Sequence, residues 1–232
     1  MAAQRDSSGL SVLVNILYLS YRIPQAVQKT VNSILFFFLA FFAVAIGLYA
    51  FGYYFTNFPF LQTKGNLPLE TYWSVAFYIH VGSGGTALAI GWLQFWKKFR
   101  LKNINRHRLI GKIYVTAILV FASTSGQFLA WYANEGFPAH LGFACLSLAW
   151  FYSTLKAYLA IRHNDIFDHR RWMTRSYAIT FAAVTLRIWF PLFQFALGFS
   201  SREAYIAVSW FCWVPNLLFV EWFLLNKIKP SL

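Results

Sequence analysis

The chain has 232 residues, of which 59% are hydrophobic and 12% charged, with a mean hydropathy of +0.50. Soluble domains carry roughly 45–50% apolar residues, so this composition excludes an ordinary water-soluble enzyme and indicates a membrane protein. The net charge of +13, from 20 Lys plus Arg against 7 Asp plus Glu, would suggest nucleic acid in a soluble chain. In a membrane chain, topology accounts for it and no nucleic-acid partner is expected.

Residues 1–32 open the chain. Their apolar stretch, Leu10 to Tyr21, is too short to cross a bilayer and is flanked by Arg5 and Arg22, as in a helix lying in the membrane interface. Apolar runs then predict spans over 33–56, 72–96, 109–132, 138–161, 173–198 and 204–225, each near the ~20 residues a spanning helix needs. None alternates with period two, so the expected fold is all-α: a bundle of six transmembrane helices over 33–226, with a functional core at 72–198 and a short tail at 227–232. No Pro- or Ser-rich linker or internal repeat divides it.

With the first span starting inside, the inner segments collect Arg5, Arg22, Lys29, the basic run from Lys97 to Lys112, Arg162, Arg170, Arg171, Arg175, Lys227 and Lys229. The outer loops hold only Lys64 and Arg202. The positive-inside rule then puts both termini in the cytoplasm. A grip on anionic headgroups or an anionic substrate is compatible with the same basic residues. Cys145 and Cys212 fall inside spans without a C-x-x-C neighbour and read as small packing residues.

The histidines are the most informative feature. His80 lies within the second span, His107 opens the third from inside, His140 opens the fourth from outside, and His169 opens the fifth from inside. His163 is a loop residue. His80 and His140 thus form an outer pair, His107 and His169 an inner pair. Imidazoles must approach one ion to ~2 Å, so the four cannot share a single site. Two b-type haems, each held by two imidazoles as axial iron ligands, would use one histidine from each of four helices. Gly84 and Gly91 follow His80 at helical spacing and Gly111 follows His107. These small residues either leave room for a flat macrocycle or let neighbouring helices approach.

Arg187 lies in the outer half of the fifth span, where charge is expensive and usually functional. Eighteen residues, five helical turns, separate it from His169, so the two share a face with Met173, Ser176 and Thr180 in a polar seam. Arg187 would pair with a haem propionate, with Glu135, or with water by snorkelling. Gln127, Ser123, Thr124, Ser125 and Glu221 add further intramembrane polarity.

The strings His107-Arg108-x-x-Gly111, Asp168-His169-Arg170-Arg171-Trp172-Met173 and Thr185-Leu186-Arg187, with His80 upstream, resemble the bacterial membrane family called domain of unknown function 2306, over about residues 72–192. That resemblance implies a bacterial inner-membrane location and no established activity. The arrangement of spans and histidines is also similar, in architecture only, to cytochrome b561-type proteins. This likeness implies transmembrane electron transfer by a membrane oxidoreductase through two haems b. Arg106, Arg108 and Arg171 would then approach a quinol or small anionic electron donor.

Three alternatives remain beside haem electron transfer. One is a small transporter or ligand-binding protein whose seam from Arg187 to His169 meets an anionic or protonatable solute. Another is a His-carboxylate metal enzyme built from His107, His163, Asp165, Asp168 and His169. The last is an accessory subunit of a membrane complex, or a homo-oligomer.

Overall fold

The computed structural model describes residues 25–56, 70–225 and 228, and every regular element among them is helical. The first helix, α1 (Gln25–Phe51), tightens into a 3-10 turn at Gly52–Tyr54. Next comes α2 (Glu70–Gly91), followed by a 3-10 turn at Trp92–Gln94 and the short α3 (Lys97–Lys102). A π turn, Ala117–Ala122, joins α4 (Ile104–Thr116) to α5 (Ser123–Ala130). Beyond it lie α6 (Phe137–Arg162), α7 (Ile166–Thr180) and α8 (Ala182–Pro191), which continues into a π turn at Leu192–Ala196. The chain closes with α9 (Ser201–Phe211), α10 (Val214–Phe219) and a third π turn at Val220–Leu224. The expected interfacial helix at 10–21, and Lys64, lie outside the described residues.

Among the described residues, five stretches are long and apolar enough to cross a membrane: Thr30–Tyr54, Ile104–Ala130, Phe137–Arg162, Ile166–Ala196 and Ser201–Leu224. The expected count of six is therefore not exact. At ~1.5 Å per residue α2 has the length of a span, but His80, four glycines and several hydroxyl residues dilute its apolar content.

Three helices begin earlier than the apolar runs because side-chain caps, not hydropathy, set their first turns. Asn103 Oδ1 accepts from the Arg106 amide at 3.0 Å, opening α4. Asp165 Oδ1 accepts from the Asp168 amide at 2.9 Å, opening α7. Ser200 and Glu203 form a reciprocal capping box at the start of α9, as expected for the S-x-x-E pattern.

Packing divides the described residues into two units, one ending at Phe41 and one beginning at Phe42. In the second, α6 packs along α5, α7 and α9, while α2 packs against α4, the 117–122 turn and α5. One core cluster gathers Ala87, Tyr114, Ile118, Trp150, Ala157 and Met173, and another Ala182, Phe193, Ala204, Val208, Cys212 and Trp213. Small residues set the closest approaches. A Cβ on Gly142 would lie 3.0 Å from the Ser209 carbonyl oxygen, and one on Gly85 3.0 Å from that of Gly47. Such contacts let helices associate where lipid offers no hydrophobic drive. Both cysteines are free.

Candidate functional site

The π turn at Ala117–Ala122 shapes one side of the site. Its wider winding interrupts the regular i→i+4 ladder, and carbonyls at its end take bonds from other helices. Ala122 O lies 2.8 Å from His80 Nδ1, and Ser123 O accepts from Ser147 Oγ at 2.6 Å. A carbonyl can only accept, so Nδ1 of His80 carries the proton and the neutral ring keeps Nε2 as an acceptor. Gly126 makes this possible, since a Cβ there would lie 2.9 Å from His80 Cε1.

His80 lines a cavity of about 360 Å³, within the ~300–1,000 Å³ range of small-molecule sites. Apolar groups from α2, α6, α7 and α8, among them Phe77, Leu88, Trp150, Ile179 and Leu186, form much of its wall. Tyr53, Ser147, Thr180, Arg187 and Tyr205 add polar groups.

Arg187 Nη1 donates to Ala183 O at 2.7 Å, one turn back on its own helix. Its guanidinium stands over the Tyr49 ring at 5.2 Å and bonds to the Tyr53 side chain. None of these partners carries a negative charge. Glu135, one expected partner, lies 3.7 Å from Arg202 instead, and Glu221 forms a two-pronged bond with Arg175, at 2.5 and 3.0 Å. Among the described residues no carboxylate pairs with Arg187.

The cavity unites His80, Gly84 and Arg187 and does not include His140. His140 Nε2 donates to Ala133 O at 2.8 Å, in the connection before α6. Gly84 leaves ordinary space, as its Cβ would meet only Trp150 Cη2, at 3.7 Å, whereas a Cβ on Gly91 would press into Tyr177 and Tyr114. Gly84 thus borders open volume and Gly91 serves helix contact.

The other expected residues lie apart from the cavity. His169 Nδ1 donates to Ala157 O at 2.8 Å, and His107 is near enough to His169 to feel its charge. Gly111, one turn along α4 from His107, lies against Gln94, whose Oε1 would be 3.3 Å from an added Cβ. His107 Nδ1, Gln94 Nε2 and Arg171 Nε are buried atoms without a hydrogen-bond partner among the described residues. The Arg171 guanidinium stands over Phe167 at 5.4 Å, while Arg106 and Arg108 are exposed.

The expected His-carboxylate centre does not assemble: no group of three or more His, Cys, Asp or Glu among the described residues is placed to hold a metal ion. Asp165 is instead engaged as the cap of α7, and His163 is exposed at the end of α6.

The polar seam is present in part. Met173, Ser176 and Thr180 are buried on α7, but the helix breaks at Phe181 before Arg187 on α8. Asn216 clasps that break, donating to Ala178 O at 3.1 Å, Thr185 Oγ1 at 3.1 Å and Cys212 O at 2.9 Å. The sequence reading passed over Asn216, Tyr53, Tyr114 and Trp150. The usable signal was the polar atom each aromatic ring must satisfy when buried, but 13 Tyr and 10 Trp gave no means of choosing among them.

A family model described as predicted membrane protein (DUF2306) matches residues 77–224. No curated protein and no solved structure matches the chain.

Proposed function

Because the chain belongs to the DUF2306 family of predicted membrane proteins, whose description assigns no activity, we propose from the site itself that it is a ligand-binding membrane protein. The cavity holds a small, mostly apolar molecule whose anionic or hydrogen-bond-accepting head sits against Arg187. The observation that carries this reading is the missing carboxylate: among the described residues, Arg187 is a half-buried cation answered by a carbonyl and tyrosines and by no anion. A central arginine costs about 2.5–3.5 kcal/mol on insertion scales, and an anionic ligand offsets that cost. The Nε2 acceptor of His80 and the hydroxyls of Tyr53 and Thr180 favour a head that both donates and accepts hydrogen bonds.

Organic extracts of protein purified in mild detergent, analysed by mass spectrometry, test the proposal. Wild-type protein should retain a defined small molecule that Arg187→Ala loses. Identical extracts from the two would sink the reading.

A second reading, b-type haem binding and electron transfer, draws on a separate feature. His80 and His169 each give Nδ1–H to a backbone carbonyl, the arrangement that commonly orients a histidine ligand through its other nitrogen. It requires His140 to release Ala133 O before it can pair with His80. It also brings a quinol or small anionic donor to Arg106, Arg108 and Arg171. A reduced-minus-oxidised optical spectrum without b-type bands removes this reading and leaves the first intact.

A further inference from the structure

At one end of the bundle the chain turns back through the 92–94 turn, α3 and the start of α4. The run from Lys97 to Lys112 carries seven Lys and Arg, and no Asp or Glu lies between Glu70 and Glu135. Among the described residues none of the seven is ion-paired, since the carboxylates in salt bridges hold Arg175 and Arg202. Orienting a membrane protein requires Lys and Arg in a connecting segment. It does not require them to converge.

Here they converge. His107 on α4 feels the charges of Arg100 on α3, of its neighbour Arg108 and of His169 on α7. Two guanidiniums and two imidazoles from three helices thus share one neighbourhood, and among the described residues no anion offsets their repulsion. Gln94 lies beneath them. It is 7% exposed, and its Oε1 would be 3.3 Å from a Cβ on Gly111, so its amide reaches α4 one turn beyond His107, about 6 Å along the axis. Gln94 Nε2 and His107 Nδ1 are without a hydrogen-bond partner among the described residues. An amide N–H only donates, and a buried donor left unmatched is costly. What this end lacks is therefore an acceptor with negative charge.

The surroundings set its chemistry. Trp92 and Trp96 stack with centroids 5.8 Å apart, and Trp96 and Phe99 with centroids 6.5 Å apart. Such rings gather at the headgroup level of a bilayer. On α3, Leu101 is 71% exposed among the exposed Lys97, Lys98 and Lys102. An apolar side chain projecting among lysines fits a segment lying in the interface, with leucine toward acyl chains and ammonium groups toward phosphates. A free anion would use only the charges, whereas a phospholipid headgroup uses both.

We propose that Arg100, His107 and Arg108, with Gln94 as the floor, form a site for the phosphate of an anionic phospholipid in the leaflet at this end of the bundle. The guanidiniums hold phosphate oxygens by charge-assisted hydrogen bonds, and His107 Nδ1–H donates to a third. The aromatic run and Leu101 lie along the glycerol and the upper acyl chains. His169, beside the site, stands about 27 Å from Arg187 by helical rise, so this site is separate from the cavity and does not depend on its ligand.

The full chain in mild detergent is titrated with phosphatidylglycerol, with phosphatidylcholine and with inorganic phosphate, and binding is read from the rise in melting temperature. Phosphatidylglycerol should stabilise the wild type, and the other two at equal concentration should not. Arg100→Gln and Arg108→Gln should each weaken phosphatidylglycerol binding about fivefold, the contribution of one basic residue at an anionic membrane surface. Arg162→Gln removes the same charge from an exposed position at the end of α6 and should leave binding within about twofold. Equal stabilisation by phosphatidylcholine or by inorganic phosphate overturns the site, as does an equal loss in Arg162→Gln. Arg108 is exposed, so unchanged binding in a folded Arg108→Gln is decisive even if Arg100→Gln fails to fold. Loss of phosphatidylglycerol binding in Arg187→Ala would put the lipid in the cavity and overturn the site too, while the cavity reading would stand.

Discussion

Arg202 holds Glu135 at 3.7 Å, and this pairing removes from Arg187 the outer carboxylate that its depth in the sequence had suggested as a partner. Arg187 is left facing the cavity, and its cost to the folded protein should be separable from its use. Replacing an unpaired buried charge by an apolar side chain of similar length is often neutral or stabilising, by about 1–4 kcal/mol where buried ion pairs have been exchanged. Arg187→Met should therefore unfold at the same or a higher temperature than wild type in ligand-free detergent, yet retain no ligand. A marked fall in its melting temperature would identify Arg187 as a structural residue.

Two glycines on α2 should respond in opposite ways. Gly84→Ala meets only Trp150 Cη2, at 3.7 Å, and alanine gains roughly 0.8–1 kcal/mol over glycine in a helix interior. That variant should fold at least as stably as wild type while reducing cavity volume and ligand retention. Gly91→Ala drives its Cβ against Tyr177 and Tyr114 and should lose about 1–3 kcal/mol by overpacking. Thermal melts of the two side by side check both signs.

The Arg175–Glu221 bond ties α7 to the last π turn, with the guanidinium also 4.5 Å from the Trp172 ring. Arg175 is only 15% exposed, so Glu221→Ala leaves a largely buried cation without its anion. Breaking a buried pair costs up to about 3–5 kcal/mol. The Glu221 end is 41% exposed, which places this loss at the lower end. Adding Arg175→Met to Glu221→Ala should recover much of the stability, and a double mutant cycle measures the coupling.

Asp165 distinguishes a helix cap from a metal ligand. As the cap of α7 it accepts from the Asp168 amide at 2.9 Å, a role that Asn fills about as well. Asp165→Asn should therefore melt within experimental error of wild type. Asp165→Ala should lose about 0.5–2 kcal/mol. A metal role would cost both variants, the Asn variant included, their bound metal, which elemental analysis of both proteins detects.

The all-helical membrane architecture was legible in the sequence because it follows from composition and the length of apolar runs, which lipid makes decisive: backbone groups in hydrocarbon have no partner but their own helix. Hydropathy located the apolar middles of the helices. It placed the starts of α4 and α7 several residues late, because Asn103 and Asp165 are polar caps that hydropathy counts as loop. It also ranked α2 with the spans, although α2 is not among the five stretches long and apolar enough to cross a membrane. His80, Gly84 and Arg187 could be singled out one at a time, since each is an expensive or unusually small residue at its depth.

Which of them meet was decided by the tertiary structure. Helical periodicity gives the face on which a side chain stands but not the rotation of one helix against another. The π turn at Ala117–Ala122, the break at Phe181 and the Asn216 clasp reset that rotation in ways no single segment encodes. The same packing puts His80 and Arg187 on one cavity, turns His140 to Ala133, and joins hydroxyls 62 and 66 residues apart in sequence through Tyr114. Composition and apolar length thus determined where the chain resides and what it is built of. The relative rotation and breaking of its helices decided which polar groups share a space, because contact in a bundle depends on angles that only the assembled packing sets.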